Sequence, residues 1–237
     1  MNDLCRQLEW DSQFFQRRIA RIEGDRLDKQ SLDPALRWCK EKGIECLYFL
    51  CSPDDDNSVA VAEAAGFHLV DIRSELNWRI QATSESSPSF VRQYQESDLA
   101  MLQKIASQAY TNTRFNFDNH FPSEQVADLY KVWITTSCQN EEHKVFVASS
   151  ENKIVGFITC FFDTAEIGRI GLLGLSEEAK GKGYGRQLVQ AAQQYFFSTS
   201  ADEVRVVTQG RNLAAQRLYQ SCGFRTYKLG LWYHKWF

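Results

Sequence analysis

Along this 237-residue chain the apolar positions repeat with two periods, and each change of period marks an element. Phe90 to Tyr94 reads as a short strand. Helical spacing follows, predicting one helix from a Ser97 cap to about Tyr110 and another from a Ser123 cap through Ile134. The second carries Val126, Leu129, Tyr130 and Trp133 on one face. Val145–Ser149 and Ile154–Phe162 read as strands joined in a hairpin by 151–153, and Ala165–Leu175 as a third strand. A helix opening at Gly183 places Tyr184, Leu188, Ala192 and Tyr195 on one stripe. A strand at Val204–Thr208, a helix over 212–222 and strands near 224–228 and 231–236 close the chain. Strands alternate with helices but hairpins also occur, which predicts an α/β (α+β) fold with a mixed sheet flanked by helices.

The pattern lapses over 81–89, a polar, Ser-rich stretch that reads as a linker. It divides an amino-terminal domain, 1–80, from a domain at 90–237. A shift of 157 residues without gaps lays Leu47–Leu50 on Val204–Val207 and Gly66-Phe67 on Gly223-Phe224. Each pair brackets a helix-length segment, so a strand–helix–strand unit is used twice, although that arrangement is also common by chance. The first copy has Ala62 where the second has Tyr219. It also has no glycine-rich loop in step with 181–185.

Composition narrows the function classes. The hydrophobic fraction of 43% and charged fraction of 24% suit a globular chain. A net charge of −3 and no run of more than two basic residues disfavour nucleic acid as a partner. No stretch approaches the roughly 18 apolar residues of a membrane span. No uncharged export segment is visible, so a cytoplasmic location with reduced thiols is expected. The seven cysteines have no CxxC spacing, and no metal site is expected. A homodimer is left open.

Chemistry concentrates in two segments. Leu175-Ser-Glu-Glu-Ala-Lys180-Gly181-Lys182-Gly183-Tyr184-Gly185-Arg186 runs from a strand end through a glycine-rich turn into a helix. Such a turn exposes backbone N–H groups at a positive helix terminus, which suits a pyrophosphate, and Lys180 and Lys182 add charge. A flexible surface turn is the competing reading. The second segment runs from Asn212 to Gly223-Phe224 and includes Tyr219. Asn212 fits an N-cap, Gly223 a C-terminal stop, and Tyr219 a packing residue.

Together these segments resemble the two acetyl-CoA motifs of the GNAT superfamily of N-acetyltransferases. Lys180-x-x-Gly183-x-Gly185 is similar to its pyrophosphate motif, with Lys in place of the usual Gln or Arg. Asn212-x-x-Ala215-x-x-Leu218-Tyr219-x-x-x-Gly223-Phe224 is similar to the second motif. The resemblance covers about Phe90 to the end and implies a mostly antiparallel sheet, with 1–80 as a partial copy lacking cofactor motifs. Further stretches resemble the branch that acetylates the amine of dTDP-4-amino-4,6-dideoxygalactose. These are Trp10–Phe15, Gly66–Asp71, Thr113–Phe115, Arg169–Leu173 and Leu231–Lys235.

The resemblance implies acetyl-CoA as cosubstrate, with pantetheine along Leu173–Leu175 and a backbone N–H near Leu175 polarising the thioester. Asn212 joins the cofactor set. Tyr219 takes the position of the acid that protonates the departing thiolate. Asp71, Arg73 and Glu75 share one face of a strand; Asp71 leads as base, Glu75 is the fallback, and a solvated face with a salt bridge to Arg73 is the competing reading. Arg114 is a candidate for the nucleotide phosphates, and His120, in the aromatic loop 115–121, either lines the acceptor pocket or packs. Two further readings compete: a GNAT acting on a protein N-terminus, lysine or small amine, and a CoA-binding sensor without catalysis.

Overall fold

Residues 46–51 are apolar at nearly every position and form β3 (Cys46–Cys51), in which only Leu50 escapes full burial. A strand without alternation needs cover on both faces. The computed structural model, which describes residues 4–80, 90–199 and 201–237, supplies that cover with helices on both sides of a sheet. The amino-terminal part runs β1 (Cys5–Gln7), α1 (Glu9–Phe15), β2 (Ile19–Ile22), α2 (Lys29–Lys42), β3, α3 (Asp56–Ala64) and β4 (His68–Arg79). Then follow β5 (Val91–Gln93), α4 (Leu99–Ala109), α5 (Arg114–Phe117), α6 (Ser123–Gln139), β6 (Lys144–Ser150), β7 (Lys153–Thr164) and β8 (Ile167–Leu175). The chain finishes with α7 (Tyr184–Phe197), β9 (Glu203–Gln209), α8 (Leu213–Ser221) and β10 (Arg225–Trp236).

All ten strands of the described residues join one sheet in the order β1-β2-β3-β10-β4-β9-β8-β7-β6-β5. Only β2–β3 and β8–β9 pair in parallel, so the sheet is mixed and mostly antiparallel. Tyr48 and Phe157 point into a core shared with α1, α4, α5 and α6. Their neighbours Phe49 and Ile158 point the other way, into cores shared with α2 and α3 and with α7 and α8. The segment 81–89 lies outside the described residues, and strands from both sides of it are neighbours in this one sheet.

The shift of 157 reappears in the hydrogen bonding. It carries the pair Arg79–Glu203 of β4–β9 onto Trp236–Cys46 of β10–β3, and every other pair of those two ladders keeps that register. Between β4 and β10 the pair Arg73–Gly230 maps onto itself. An extra residue, Val70 in β4 and Tyr227 in β10, interrupts the pairing on either side at matching positions. A local two-fold axis thus passes between Arg73 and Gly230. The halves differ where it matters for a ligand. Beyond Arg21–Tyr48 the gap between β2 and β3 is closed by Ser52 N–H donating to Asp25 O (2.8 Å) and Leu27 N–H donating to Ser58 Oγ (2.6 Å). No such bridge closes β8–β9 among the described residues.

Several boundaries differ from the sequence reading. β10 is one twelve-residue strand rather than two, because Gly230 is no turn. A Cβ there would meet Leu50 Cδ1 at 2.8 Å, so a larger residue would have to displace that side chain on the neighbouring strand. Ser97 is not the cap of α4: Asp98 Oδ2 accepts from Gln95 N–H (2.8 Å) and sets a short 3₁₀ turn first. Ser123 is the first residue of α6, which continues to Gln139.

Candidate functional site

β8 and β9 pair only from Ile167–Glu203 to Ile170–Val206, and beyond that point the two strands part. Leu172 N–H donates to Thr159 Oγ1 and Ser176 N–H to Val155 O, both at 2.8 Å and both towards β7. N–H groups alternate along a strand, so those of Leu173 and Leu175 face the opened edge. α7 begins beside the end of β8. A Cβ on Gly185 would stand 3.1 Å from Leu218 Cδ2 and 3.4 Å from Leu175 Cδ1, so this glycine lets α7, α8 and β8 meet.

The turn leading into α7 presents an anion cradle. Among the described residues, no acceptor faces the N–H groups of Gly181, Gly183, Tyr184, Gly185 or Arg186, whereas Gln187 N–H already bonds Gly183 O at 3.2 Å. Unsatisfied amides at a helix start carry partial positive charge and favour phosphate. Gly183 holds φ at +87°, a region costly for a β-branched residue, with open space where its Cβ would be. These residues fit a pyrophosphate through backbone amides. The side chains contribute less. Lys180 Nζ pairs with Glu177 (2.6 Å) on the exposed surface, Arg186 donates to Ser221 O (3.0 Å), and Tyr184 packs edge-on against Phe90. Asn212 Oδ1 accepts from Ala215 N–H (3.1 Å) as the cap of α8.

Gly183→Val is expected to weaken acetyl-CoA binding at least tenfold, about 1.4 kcal/mol, by calorimetry. Gly24→Val is the control, since Gly24 shares the conformation (φ +85°) and the open surroundings far from β8. Both variants should lose similar thermal stability, and equal loss of affinity in both would remove the turn from the cofactor site.

Tyr219 on α8 is 5% exposed, with its ring 5.7 Å from Phe224. Burial pushes its hydroxyl far above the ordinary phenol value, with the Cys222 and Cys160 thiols adding to the shift. That hydroxyl makes no hydrogen bond with a described group. Tyr110, which ends α4, has a buried hydroxyl that is likewise unpartnered, and its ring stacks on Tyr130 at 4.1 Å.

On the α5–α6 side of the sheet a cavity of about 200 Å³ lies beside the diverging end of β9. Asp71, Arg73 and Arg114 supply its charges; Phe115, Tyr130, Trp133 and Trp232 supply its aromatic walls. Asp71 is 4% exposed, accepts from Ile72 N–H (2.9 Å) and lies 3.9 Å from Arg211 Nε. Burial lifts its carboxyl to about 6, an effect that Arg211 only partly offsets. Glu75 is otherwise engaged. Burial would raise it, but the bonds from Arg73 Nε (3.0 Å) and the Tyr227 hydroxyl (3.1 Å) outweigh this and hold it below the usual range.

His120 does not line this cavity. Asp118 turns the loop so that the His120 ring stacks on Trp236 (4.3 Å) beside a neighbouring cavity of about 290 Å³. The aromatic walls Tyr130 and Trp133 were visible in the sequence only as a packed helix face, and Tyr110 gave no signal beyond its place at a helix end. Among the described residues no cluster suits a metal, and no helix is long and apolar enough to cross a membrane.

Residues 100–224 match the profile of the Acetyltransferase (GNAT) family, just over half of the chain. The chain is 26% identical over 172 residues to the dTDP-fucosamine acetyltransferase of Escherichia coli O6:H1 (strain CFT073), covering 72% of each. Its fold is similar to that of a GCN5-related N-acetyltransferase from Sphaerobacter thermophilus (TM-score 0.68, 14% identity, 98% of this chain and 76% of that one). It is also similar to a tandem GNAT protein from the clavulanic acid biosynthesis pathway (TM-score 0.59, 12% identity, 92% and 75%).

Proposed function

Because the chain belongs to the Acetyltransferase (GNAT) family and is an acetyl-CoA-dependent N-acetyltransferase, we propose that its acceptor is the amine of a nucleotide-linked amino sugar, dTDP-4-amino-4,6-dideoxygalactose in the first place. The observation that carries this reading is the cavity beside β9. Aromatic walls suit the apolar face of a hexose ring, Arg114 suits a phosphate oxygen, and a carboxyl raised to about 6 suits an amine. At about 200 Å³ the cavity is smaller than the roughly 300 Å³ at which pockets for drug-sized ligands begin. It would seat the sugar ring, with the nucleotide lying across its mouth. A peptide acceptor would instead want an open groove. The relative's name points the same way.

Acetyl-CoA supplies an acetyl group activated as a thioester. The Leu173 and Leu175 N–H groups, on the opened edge of β8, are the donors for the oxyanion that forms when the amine attacks. Asp71 takes the amine proton, directly or through a water, and Tyr219 returns a proton to the sulfur as the C–S bond breaks. One proton leaves nitrogen and one reaches sulfur, so the step balances. We read residues 1–80 as a degenerate copy of the strand–helix–strand unit, kept as the wall of the acceptor cavity and working in the cytoplasm with the rest of the chain.

A panel of nucleotide-linked amino sugars and peptide amines, scored by free CoA released, tests the reading. The dTDP-linked 4-amino sugar should give the highest kcat/KM. Preference for a lysine or N-terminal peptide would overturn it.

A further inference from the structure

Arg114 is held more tightly than a surface arginine needs to be. Its guanidinium lies against the rings of Tyr48 (4.2 Å), Phe115 (4.3 Å) and Trp232 (4.4 Å), and its Nη1 stands 2.9 Å from His234 Nε2. An arginine can only donate, so His234 Nε2 must accept and the ring proton must sit on Nδ1. Nδ1 in turn lies 2.6 Å from Asp118 Oδ2, which also accepts from Trp236 Nε1 (2.9 Å). The other carboxylate oxygen, Oδ1, faces His120 Nδ1 (2.7 Å) and accepts from His120 N–H (3.1 Å). Every link is consistent with one protonation pattern. Burial would raise Asp118, but the bonds from His234, Trp236 and His120 outweigh it and keep the carboxyl well below its usual range. His234 is fully buried, and burial together with the Arg114 charge lowers it to about 4 despite Asp118.

We propose that His234, oriented by Asp118, is a positioning residue of the acceptor site, fixing Arg114 so that its remaining N–H edge reads an oxyanion of the nucleotide diphosphate. This rests on reading the Asp71 cavity as the acceptor site. The choice of a neutral imidazole has a physical reason. A carboxylate beside Arg114 would fix its direction equally well but neutralise it, and the attraction to phosphate would fall. Imidazole passes on the orientation while keeping the Asp118 charge one ring away. The aromatic rings remove the other rotamers, so little side-chain freedom is lost when the anion arrives.

The test uses the full chain. Calorimetry with dTDP should show His234→Asn weakening binding about tenfold, because Asn keeps a donor for Asp118 but offers Arg114 no acceptor. His234→Gln, whose carbonyl reaches the Nε2 position, should recover most of that loss. Arg114→Gln should weaken binding at least as much, and adding His234→Asn to it should cost nothing further, since His234 acts through Arg114. Affinity for acetyl-CoA should stay within about twofold throughout, which a mere loss of packing would not ensure. Long-range ¹H–¹⁵N spectra of the wild type should show the His234 proton on Nδ1. If wild type binds dTDP and His234→Asn binds it equally, or the two variants are additive, the relay is wrong while the nucleotide-sugar reading stands. If wild type does not bind dTDP, the nucleotide reading falls and so does the anion-reading role of Arg114. The Asp118–His234–Arg114 orientation is then judged by the spectra alone, and a proton on Nε2 overturns it.

Discussion

Tyr219→Phe is expected to lower kcat by about 10²-fold or more while leaving KM for acetyl-CoA nearly unchanged. Phenylalanine keeps the ring contact with Phe224 and removes only a hydroxyl that has no hydrogen-bond partner among the described groups. Deleting a hydroxyl that bonds no described group should cost little stability, so the melting temperature should hold. A loss of rate without a loss of fold then isolates the proton. The raised value of this phenol poses an obvious objection, since a weaker acid is a poorer donor to a thiolate that is ordinarily near 8.5. The surroundings answer it. The thiols of Cys160 and Cys222 beside Tyr219 are themselves pushed up by burial. A thiolate released into the same apolar space becomes a stronger base by the same cause, and the proton has somewhere to go. Because Tyr219 stays protonated, it should add no alkaline limb to kcat below about pH 10. A kcat near that of wild type would return Tyr219 to a packing role.

The local features were legible and the distant ones were not. Helical spacing and the glycine-rich entry to α7 depend on neighbours in sequence, and they appear in the structure within a few residues of the positions expected. The shift of 157 was legible too, and the ladders β3–β10 and β4–β9 keep its register. The break expected between 228 and 231 is absent: Gly230 sits inside β10, against Leu50 on another strand. The short strands β1 and β2 left no periodic trace, having three and four residues. Asp118 and His234 are 116 residues apart, and their pairing depends on β10 lying beside β3 and β4. The available hint was that polar residues interrupt two aromatic stretches, 115–121 and 232–237. For Asp71 the strand alternation placed it with Arg73 but said nothing of its burial, which sets its chemistry.

Asp71→Asn should lower kcat at least as far as a lost general base allows, about 10² to 10⁴-fold. It should also make the protein more stable above pH 6, and the combination of the two effects is the stronger evidence. A buried carboxyl raised from 3.8 to about 6 penalises the ionised folded state, on the order of 3 kcal/mol, before relaxation. The sign follows from the direction of the shift. Between about pH 4 and 6 the folded protein holds the Asp71 proton and the unfolded chain does not, so this group's contribution to stability falls as pH rises through that window. Asparagine is never charged. Its advantage over wild type should therefore be full at pH 7 to 8 and vanish near pH 4, as read from urea midpoints across pH. A structural salt bridge to Arg211 would give the opposite result, because removing it would destabilise the protein at neutral pH. In kinetics, wild-type kcat/KM should fall below about pH 6 as Asp71 protonates. Loss of free amine adds its own acid limb, so only the difference between wild type and variant reports Asp71. If Asp71→Asn keeps both the wild-type kcat and the wild-type pH profile on the best acceptor, the base lies elsewhere. Glu75→Gln is then the next variant, although its bonds to Arg73 and Tyr227 leave that carboxylate poorly placed to accept a proton.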